Sequence, residues 1–559
     1  MRTTTGTTPE SDVDRRLPPG TVHLIDRDGT EIARHAQGKG EKDVILVPEP
    51  SADPEDPLNW TVRRKILATS CIVVYTITIA IPSSAVYSIV TPILQHTSLD
   101  LTDINNGTGI MFLFYGWACI PWQAIALQYG KRPVYLFSLV ANIIILATAP
   151  LCKTSGTYLA NRILLGMFGA PVESLPEISV TDIWFTHERP KYLALYGWSL
   201  SLTGKLAPML SGFINIGMGW EWTLRWCAIW CAMGLVYCFF AMEETNYDRK
   251  HTAPMPAAVT ETLSQDGGAA SNTADEVGTE KAQDSEKIQA SEPDSEVGQI
   301  QWPRKSYVDK LGFKDKKRPN RLVDIMIGPF KGFTYPAVVW AGLMYGANNL
   351  VWLGVQNATI GTVYTTQYGF STAGVAGGYA GGVIGTIIGG YYCGKVGRLL
   401  TIKLARRNGG ISEPEHNLYL FIASCILVPF ASILYGLGVK YHVHWMALII
   451  SQVALSINSS LCIGCALNYA IGSYGELSGQ MVTTCILIRN TLSFAVNYGI
   501  TPWINASGYL RVYCIIAAIS LVWNLSFILM VKYGRTLREK TAARYWRDVA
   551  HARSKGLGH

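Results

Sequence analysis

The feature that most constrains this chain is a series of segments in which roughly 20 apolar residues follow one another with almost no charge. A helix rises about 1.5 Å per residue, so a segment of that length crosses the roughly 30 Å hydrocarbon core of a bilayer. Only 16% of the 559 residues are charged, whereas soluble globular proteins carry about 25%. The sequence therefore predicts a polytopic membrane protein built from α-helices.

Twelve such segments form two sets of six, which predicts an all-α membrane protein with twelve transmembrane helices. The first half covers residues 66–242 and the second half covers residues 333–531. Residues 1–65 and 532–559 are polar end segments, and residues 243–332 form a polar connection. The first part of this connection is acidic and rich in Ser, Ala and Gly, so it has too little apolar surface to fold alone. We expect residues 243–332 to be a disordered linker.

The distribution of basic residues among the short loops predicts the orientation of the helices. The loops on one side contain Arg63, Arg64, Lys65, Lys131, Arg132, Arg189, Lys191, Lys395, Arg398, Lys403, Arg406 and Arg407, whereas those on the other side contain Lys153, Lys440 and Arg511. Because basic loops stay in the cytoplasm, both termini and the linker are predicted to be cytoplasmic. These positions beside helix ends also account for the net charge of +7 without a nucleic-acid partner.

Glycines recur every four residues in the eighth predicted helix, at Gly377, Gly381, Gly385 and Gly389. Inside a spanning helix this spacing predicts a smooth ridge for close helix packing, because a nucleotide loop would need a strand before it. The pair Cys462 and Cys465 lies in an apolar segment without further metal ligands, so we interpret both as packing residues. No metal or cofactor is predicted.

Ionisable residues are costly inside a bilayer and commonly mark function there. Helix 4 contains Arg162, Glu173 and Glu177, helix 5 contains Lys205 and helix 11 contains Arg489. The two glutamates share one helix face, and Lys205 lies only about 8 Å in depth from Glu173 by rise per residue. We interpret this group as a proton and substrate pathway. The alternative is a fixed Glu173–Lys205 pair that only stabilises the bundle.

Other polar residues in or beside the spans give further candidates. Helix 7 carries Asn348, Asn349, Gln356 and Asn357, whose spacing covers more than one face, so we expect about two of them to face a substrate. We place Asn348 and Asn349 in the pathway. Arg162 can instead extend to the outer interface, and Arg489 can be purely structural. Asn106 and Asn505 begin glycosylation sequons on predicted outer loops.

Several motifs resemble those of one family. They are VPEPSADPEDPLNWTVRRK (47–65), YGKRPVYL (129–136), NRILLGMFGAPVES (161–174), DIWFTHERPKYLALYG (182–197), LARRNGGISEPEHNL (404–418) and GSYGELSGQMVTTCILIRNTLSFAVNYGITPW (472–503). Together they resemble the twelve-helix fungal drug:proton antiporter branch of the major facilitator superfamily. Within it, the chain looks most similar to histidinol/polyamine permease-like members.

The resemblance implies roles for particular residues. It implies a part in proton coupling for Arg162, and it matches Arg489 to the arginine of an R-N-T-x-S-F motif. It also implies a cytoplasmic gate formed by Lys131, Arg132 and Asp182. An exposed salt bridge with little effect on stability is the alternative for that contact. Pro208 and Gly212 resemble a degraded form of the helix 5 antiporter motif.

The chain departs from the family pattern at several positions. Leu127 and Gln128 stand where an Asp-Arg pair is usual, and Gly472 and Gln480 stand where related sequences carry carboxylates. The loss of two carboxylates weakens an inference to polycationic substrates.

These observations favour a proton-coupled secondary transporter, a monomer in the plasma membrane, that exports a small organic compound such as a fungal toxin or secondary metabolite. The alternatives are an importer of small nitrogenous compounds and a nutrient-sensing receptor on the same scaffold. An enzyme is not expected, because no cluster of catalytic residues or phosphate loop stands at a helix end. The expected partners are protons, a small-molecule substrate and the lipid bilayer.

Overall fold

The computed structural model describes residues 18–23, 53–185, 188–247, 312, 320–408 and 411–554, most of which are helical. Six long helices form the first half: α1 (Val62–Ser88), α2 (Leu101–Tyr129), α3 (Lys131–Leu151), α4 (Ser155–Ile183), α5 (Arg189–Met218) and α6 (Trp220–Ala241). Six more form the second half: α7 (Pro336–Thr366), α8 (Thr372–Leu404), α9 (Pro414–Tyr441), α10 (Met446–Ser473), α11 (Ser478–Ser507) and α12 (Tyr509–Ala552). Short helices cover Val90–His96 and Leu322–Gly332.

Ten of these helices are long and apolar enough to cross a membrane by length and composition. The remaining two, α5 and α11, have 30 residues each but are more polar. They contain Lys205 and Arg489 together with several Ser, Thr and Asn residues. The count of twelve spans therefore stays a prediction. The two helices that are less apolar than a typical span, α5 and α11, are among those that carry ionisable residues.

The packing of the helices repeats between the halves. In the first half α1 packs on α5, α2 on α4 and α3 on α6, and in the second half α7 packs on α11, α8 on α10 and α9 on α12. Each packed pair of the second half therefore corresponds to the pair of the first half whose helix numbers are lower by six. The halves meet along two equivalent seams, α2 against α11 and α5 against α8. Each half also has its own buried apolar core.

Irregular turns interrupt α4 and α7 at the centre of the bundle. In α4, Pro171 begins a new helical segment directly after Ser155–Gly169, and Glu173 lies in the first turn of that segment. In α7, the residues Ala347–Val351 form a π-helical turn that contains Asn348 and Asn349. Such turns are frequent at functional sites because they redirect side chains and interrupt the regular backbone hydrogen bonds of the helix.

The glycine ridge of α8 packs against α10, as the spacing predicts. A Cβ atom added at Gly381, Gly385 or Gly389 would collide with Ile449, Val453 or Ile457 of α10. At Gly377 the same atom would meet open space. The interpretation as a packing ridge is confirmed for three glycines and wrong for Gly377.

Part of the predicted linker is ordered. The helix Leu322–Gly332, here called the linker helix, packs against α2 and α11. The prediction of disorder is therefore wrong for residues 322–332, because Ile325, Gly328, Pro329 and Gly332 recur at helical spacing and form a buried face there. Residues 252–295, the centre of the predicted disorder, lie outside the described residues.

Both polar end segments contribute structure to the second half. The final helix continues past the predicted span as Phe527–Ser554, and Tyr545 and Val549 are buried in the core of that half. Strand β1 (Val22–His23) pairs antiparallel with β2 (Ile411–Ser412) in the loop before α9. Arg538 links these pieces, since its guanidinium binds the Glu415 carboxylate at 2.7 Å and donates to the Pro19 carbonyl.

Candidate substrate site between the two halves

A cavity of about 100 Å³ with both polar and apolar lining lies between the halves, which is room for several water molecules. Helices α1, α2, α4 and α5 line it from one side and α7, α10 and α11 from the other. Its polar uncharged lining comprises Ser83, Ser84, Tyr87, Tyr115, Ser201, Asn349, Asn357, Ser459, Ser493 and Asn497. Its charged lining comprises Glu173, Lys205 and Arg489. The cavity can therefore offer a bound molecule many hydrogen bonds and one net positive charge.

The seam between α2 and α11 is closed at both ends. Near one end Asn105 donates to the Thr501 hydroxyl at 2.9 Å, and near the other Thr483 donates to the Gln123 side chain at 2.6 Å. Along this seam the halves are held together on both sides of the cavity.

A buried ion pair crosses the cavity from one half to the other. The Arg489 guanidinium of α11 lies 2.5 Å from the Glu173 carboxylate of α4. Arg489 also donates to the Tyr345 hydroxyl at 2.6 Å and to the Asn490 side chain at 3.2 Å. The two charged side chains are 2% and 6% exposed, so they are removed from bulk water and their charges compensate each other.

The predicted partner of Glu173, Lys205, is not the one that the structure shows. Lys205 lines the same cavity and is buried, but it makes no ion pair or hydrogen bond with any described residue. Rise per residue predicts depth in the bilayer but not the direction in which a side chain points. The alternative of a fixed Glu173–Lys205 pair is therefore wrong.

The other two ionisable candidates of α4 lie outside the cavity. Glu177 is buried one turn from Glu173, and its Oε2 atom accepts no hydrogen bond from the described residues. Arg162 is also buried, with its guanidinium 4.9 Å from the Tyr158 ring centre. Neither residue lines the cavity, so any part in a pathway would require movement of α4.

The four amide side chains of α7 divide into two pairs. Asn349 and Asn357 line the cavity. Asn348 instead bonds to Asn524 at 2.9 Å and Gln356 to Ser451 at 3.1 Å, both within the second half. Placing Asn348 in the pathway was therefore wrong for this conformation, and Asn357 takes its place.

The contact around Asp182, which was predicted to be a cytoplasmic gate, lies within the first half. The Lys131 ammonium pairs with the Asp182 carboxylate, and Arg132 donates to the Phe239 carbonyl at 2.8 Å. Lys131, Arg132 and Asp182 are all buried, so the alternative of an exposed salt bridge is wrong. A gating role for the three residues stays a prediction.

A carboxylate beside that contact was not predicted from the sequence. Glu244, just beyond α6, accepts the backbone N–H groups of Lys131 and Arg132 at 3.0 Å and so caps the beginning of α3. Burial raises the pKa of the Glu244 carboxyl group above its ordinary value, and the N–H groups of Lys131, Asn246 and Arg132 oppose this rise.

The helix 5 motif lies at a close approach between the halves. A side chain at Gly212 would collide with Ala376 of α8, and Pro208 lies within α5 one turn earlier. The glycine thus permits α5 and α8 to touch.

Both glycosylation sequons lie on helices rather than loops. Asn106 is half-buried in α2, which begins at Leu101 because Asp100 and Asp103 form a capping box. Asn505 is exposed but belongs to the last turn of α11. The prediction of loop positions is wrong for both residues.

Several residues of the cavity, and of the contacts around it, were not predicted from the sequence. Tyr345 is the clearest case, because its hydroxyl holds Arg489, yet a tyrosine among apolar residues carries no signal of that role. Ser201, Ser459 and Asn497 were likewise missed. Serines in spanning helices are common at packing contacts, so their presence alone does not indicate a ligand.

Two equivalent helical halves that enclose a cavity with polar and charged side chains form the architecture of secondary membrane transporters. The chain belongs to the Major Facilitator Superfamily, whose model matches residues 71–485. It is thus a multi-pass, all-α membrane transporter with the major facilitator fold.

Individual relatives agree with this assignment. The chain is 25% identical to an uncharacterized MFS-type transporter of Schizosaccharomyces pombe, over 94% of each chain. It is 23% identical to Protein HOL1 of Saccharomyces cerevisiae, over 95% of this chain and 97% of that protein. Among solved structures, a POT family transporter in complex with 5-aminolevulinic acid has a TM-score of 0.54 at 14% identity, over 83% of this chain and 96% of that one. The last likeness concerns the fold alone.

Proposed function

We propose that this protein is a proton-coupled transporter that exports a small organic compound from the cytoplasm across the plasma membrane. The observation that carries the proposal is the Glu173–Arg489 ion pair, which joins the two halves inside the cavity. A carboxylate in such a position can exchange a proton with each side of the membrane in turn, because ionisable residues inside bundles commonly serve as proton relays.

The ion pair supplies a physical link between protonation and movement of the halves. A proton on Glu173 removes its negative charge and leaves Arg489 without its ionic partner. An unpaired buried charge is costly, so protonation destabilises the arrangement in which α4 and α11 are joined. Arg489, rather than Lys205, is therefore the neighbour that responds to the charge on Glu173.

The glutamate variant tests this link. Glu173→Gln keeps an acceptor for Arg489 but cannot ionise, so we expect gradient-driven accumulation to be lost while exchange of substrate across the membrane remains. Comparative metabolite analysis of cells and medium, with and without the gene, identifies the compound to follow. Glu177→Gln is the matched control, because Glu177 lies one turn away outside the cavity. Accumulation driven by a pH gradient in Glu173→Gln would contradict the proposal.

Direction is tested with vesicles whose cytoplasmic face is outward. An exporter that exchanges its substrate for protons accumulates the compound in such vesicles when their interior is acidic. An importer driven by protons shows the opposite response to the same gradient. A receptor on this scaffold would bind the compound without any accumulation under either gradient.

A further inference from the structure

Among the charged residues that line the cavity, Lys205 is the one for which the described part of the chain provides no opposite charge. The cavity contains three charged side chains, and two of them, Glu173 and Arg489, neutralise each other. Lys205 is 6% exposed and has no ionic or hydrogen-bonding partner in the part of the chain that the structure describes. A buried charge without a partner is energetically costly. It persists where it has a function, since ionisable residues in membrane spans are commonly tied to a substrate or ion pathway.

The protein holds Lys205 towards the cavity by close packing of its aliphatic stem. The nearest atom to a Cβ added at Gly382 of α8 would be the Lys205 Cδ atom, 3.1 Å away, followed by Cγ at 3.2 Å. Glycine at 382 therefore leaves the space through which the lysine stem passes. The stem belongs to α5 and its groove to α8, so the position of the ammonium group depends on the contact between the two halves.

We infer that the transported compound carries an anionic group, such as a carboxylate, that binds the Lys205 ammonium in this cavity. The inference rests on the proposed function and names its substrate class. An anion would neutralise the single net charge of the cavity, and a charge-assisted hydrogen bond is about twice as strong as a neutral one. The hydroxyl and amide groups of Ser201, Asn349 and Asn357 remain available for the rest of the molecule.

A cationic compound fits this cavity poorly. It would add a second positive charge to Lys205, and the carboxylate of Glu173 is already bound by Arg489. The cavity therefore selects against polyamines and other cations by charge repulsion, which is an effective source of specificity.

The experiment compares the metabolites of cells and medium for cells without the gene and for cells with the wild-type protein or one of three variants. The variants are Lys205→Met, Lys205→Arg and the control Lys153→Met, which removes an exposed lysine of the α3–α4 loop that lies 3.7 Å from Glu221. The amount of each variant in the membrane is measured in parallel by gel filtration of the solubilised protein.

We expect the compounds that redistribute with the wild-type protein to be anions at neutral pH. Lys205→Met should reduce their transport at least about tenfold, because a hydrogen bond to a charged group is lost. Lys205→Arg should retain part of the transport and Lys153→Met all of it. The inference would be overturned if the redistributed compounds were cations or neutral, or if Lys205→Met transported them as well as the wild-type protein. Either result would leave the proposed transport function standing. No redistribution of any compound by the wild-type protein would overturn the proposed function itself.

Discussion

Helices α5 and α11 occupy equivalent places in the two halves, and each brings one cation to the cavity, but the protein treats the two cations differently. Arg489 of α11 binds Glu173, Tyr345 and Asn490. Lys205 of α5 has no such partner among the described residues. A charge with several partners holds the protein together, whereas a charge without them is available to a ligand. Under the proposed function, this difference assigns the coupling of the halves to Arg489 and the selection of the substrate to Lys205.

The largest effect is expected from removal of the paired cation. Arg489→Met leaves Glu173 buried without an ionic partner, which should lower the free energy of unfolding by about 3–5 kcal/mol. Thermal unfolding of the purified protein in detergent measures this loss. The double variant Glu173→Gln with Arg489→Met should recover most of the stability but not gradient-driven transport. Equal stability of wild type and Arg489→Met would remove the distinction between the two cations.

A second buried pair, which does not cross between the halves, provides a comparison for the first. Arg538 and Glu415 are both buried and bind at 2.7 Å. They join α12 to the start of α9, and Arg538 also donates to the Pro19 carbonyl of the N-terminal segment. Arg538→Met should also destabilise the protein, by about 3 kcal/mol. The dependence of transport on the pH gradient should stay unchanged in the protein that remains folded. Loss of proton coupling in this variant would show that coupling does not depend on a pair between the halves.

The unpaired cation should affect transport without supporting the fold. Lys205→Met removes a buried charge that has no partner in the described structure, so the melting temperature should stay the same or rise. Transport should nevertheless fall at least about tenfold. The melting temperature and the initial rate of substrate accumulation are measured on the same preparation. A clear fall in melting temperature would show that Lys205 is structural after all.

The smallest effect is expected from the groove that guides Lys205. Gly382→Ala places a Cβ atom 3.1 Å from the lysine Cδ, so the stem has to shift by a few tenths of an ångström. We expect a few-fold rise in the substrate concentration needed for half-maximal transport, with little change in the maximal rate. Gly377→Ala is the matched control because its Cβ would meet open space. Equal effects of both substitutions would mean that the groove does not position the ammonium group.

The spanning segments could be predicted from the sequence because hydrophobicity along a helix is a local property. The polar helices α5 and α11 were identified in the same way, although their cavity-facing residues lower their apolar character. Prediction was poorer at helix ends. Asn106 was placed in a loop because α2 begins earlier than predicted, at the capping box of Asp100. The linker helix has only 11 residues, too few for a spanning segment, and its packing against α2 and α11 is a tertiary contact that the sequence does not specify.

By itself the sequence determined the class of protein, the two halves and the small set of ionisable residues in the spans, since each of these follows from residue type and spacing. Only the tertiary structure decided which charges meet. Glu173 and Arg489 are 316 positions apart in the sequence (489 − 173) and pair because α4 and α11 face one cavity. Lys205, much nearer in sequence, points into the same cavity without reaching Glu173. The direction of a side chain around its helix depends on how the halves pack, which spacing along one chain does not specify.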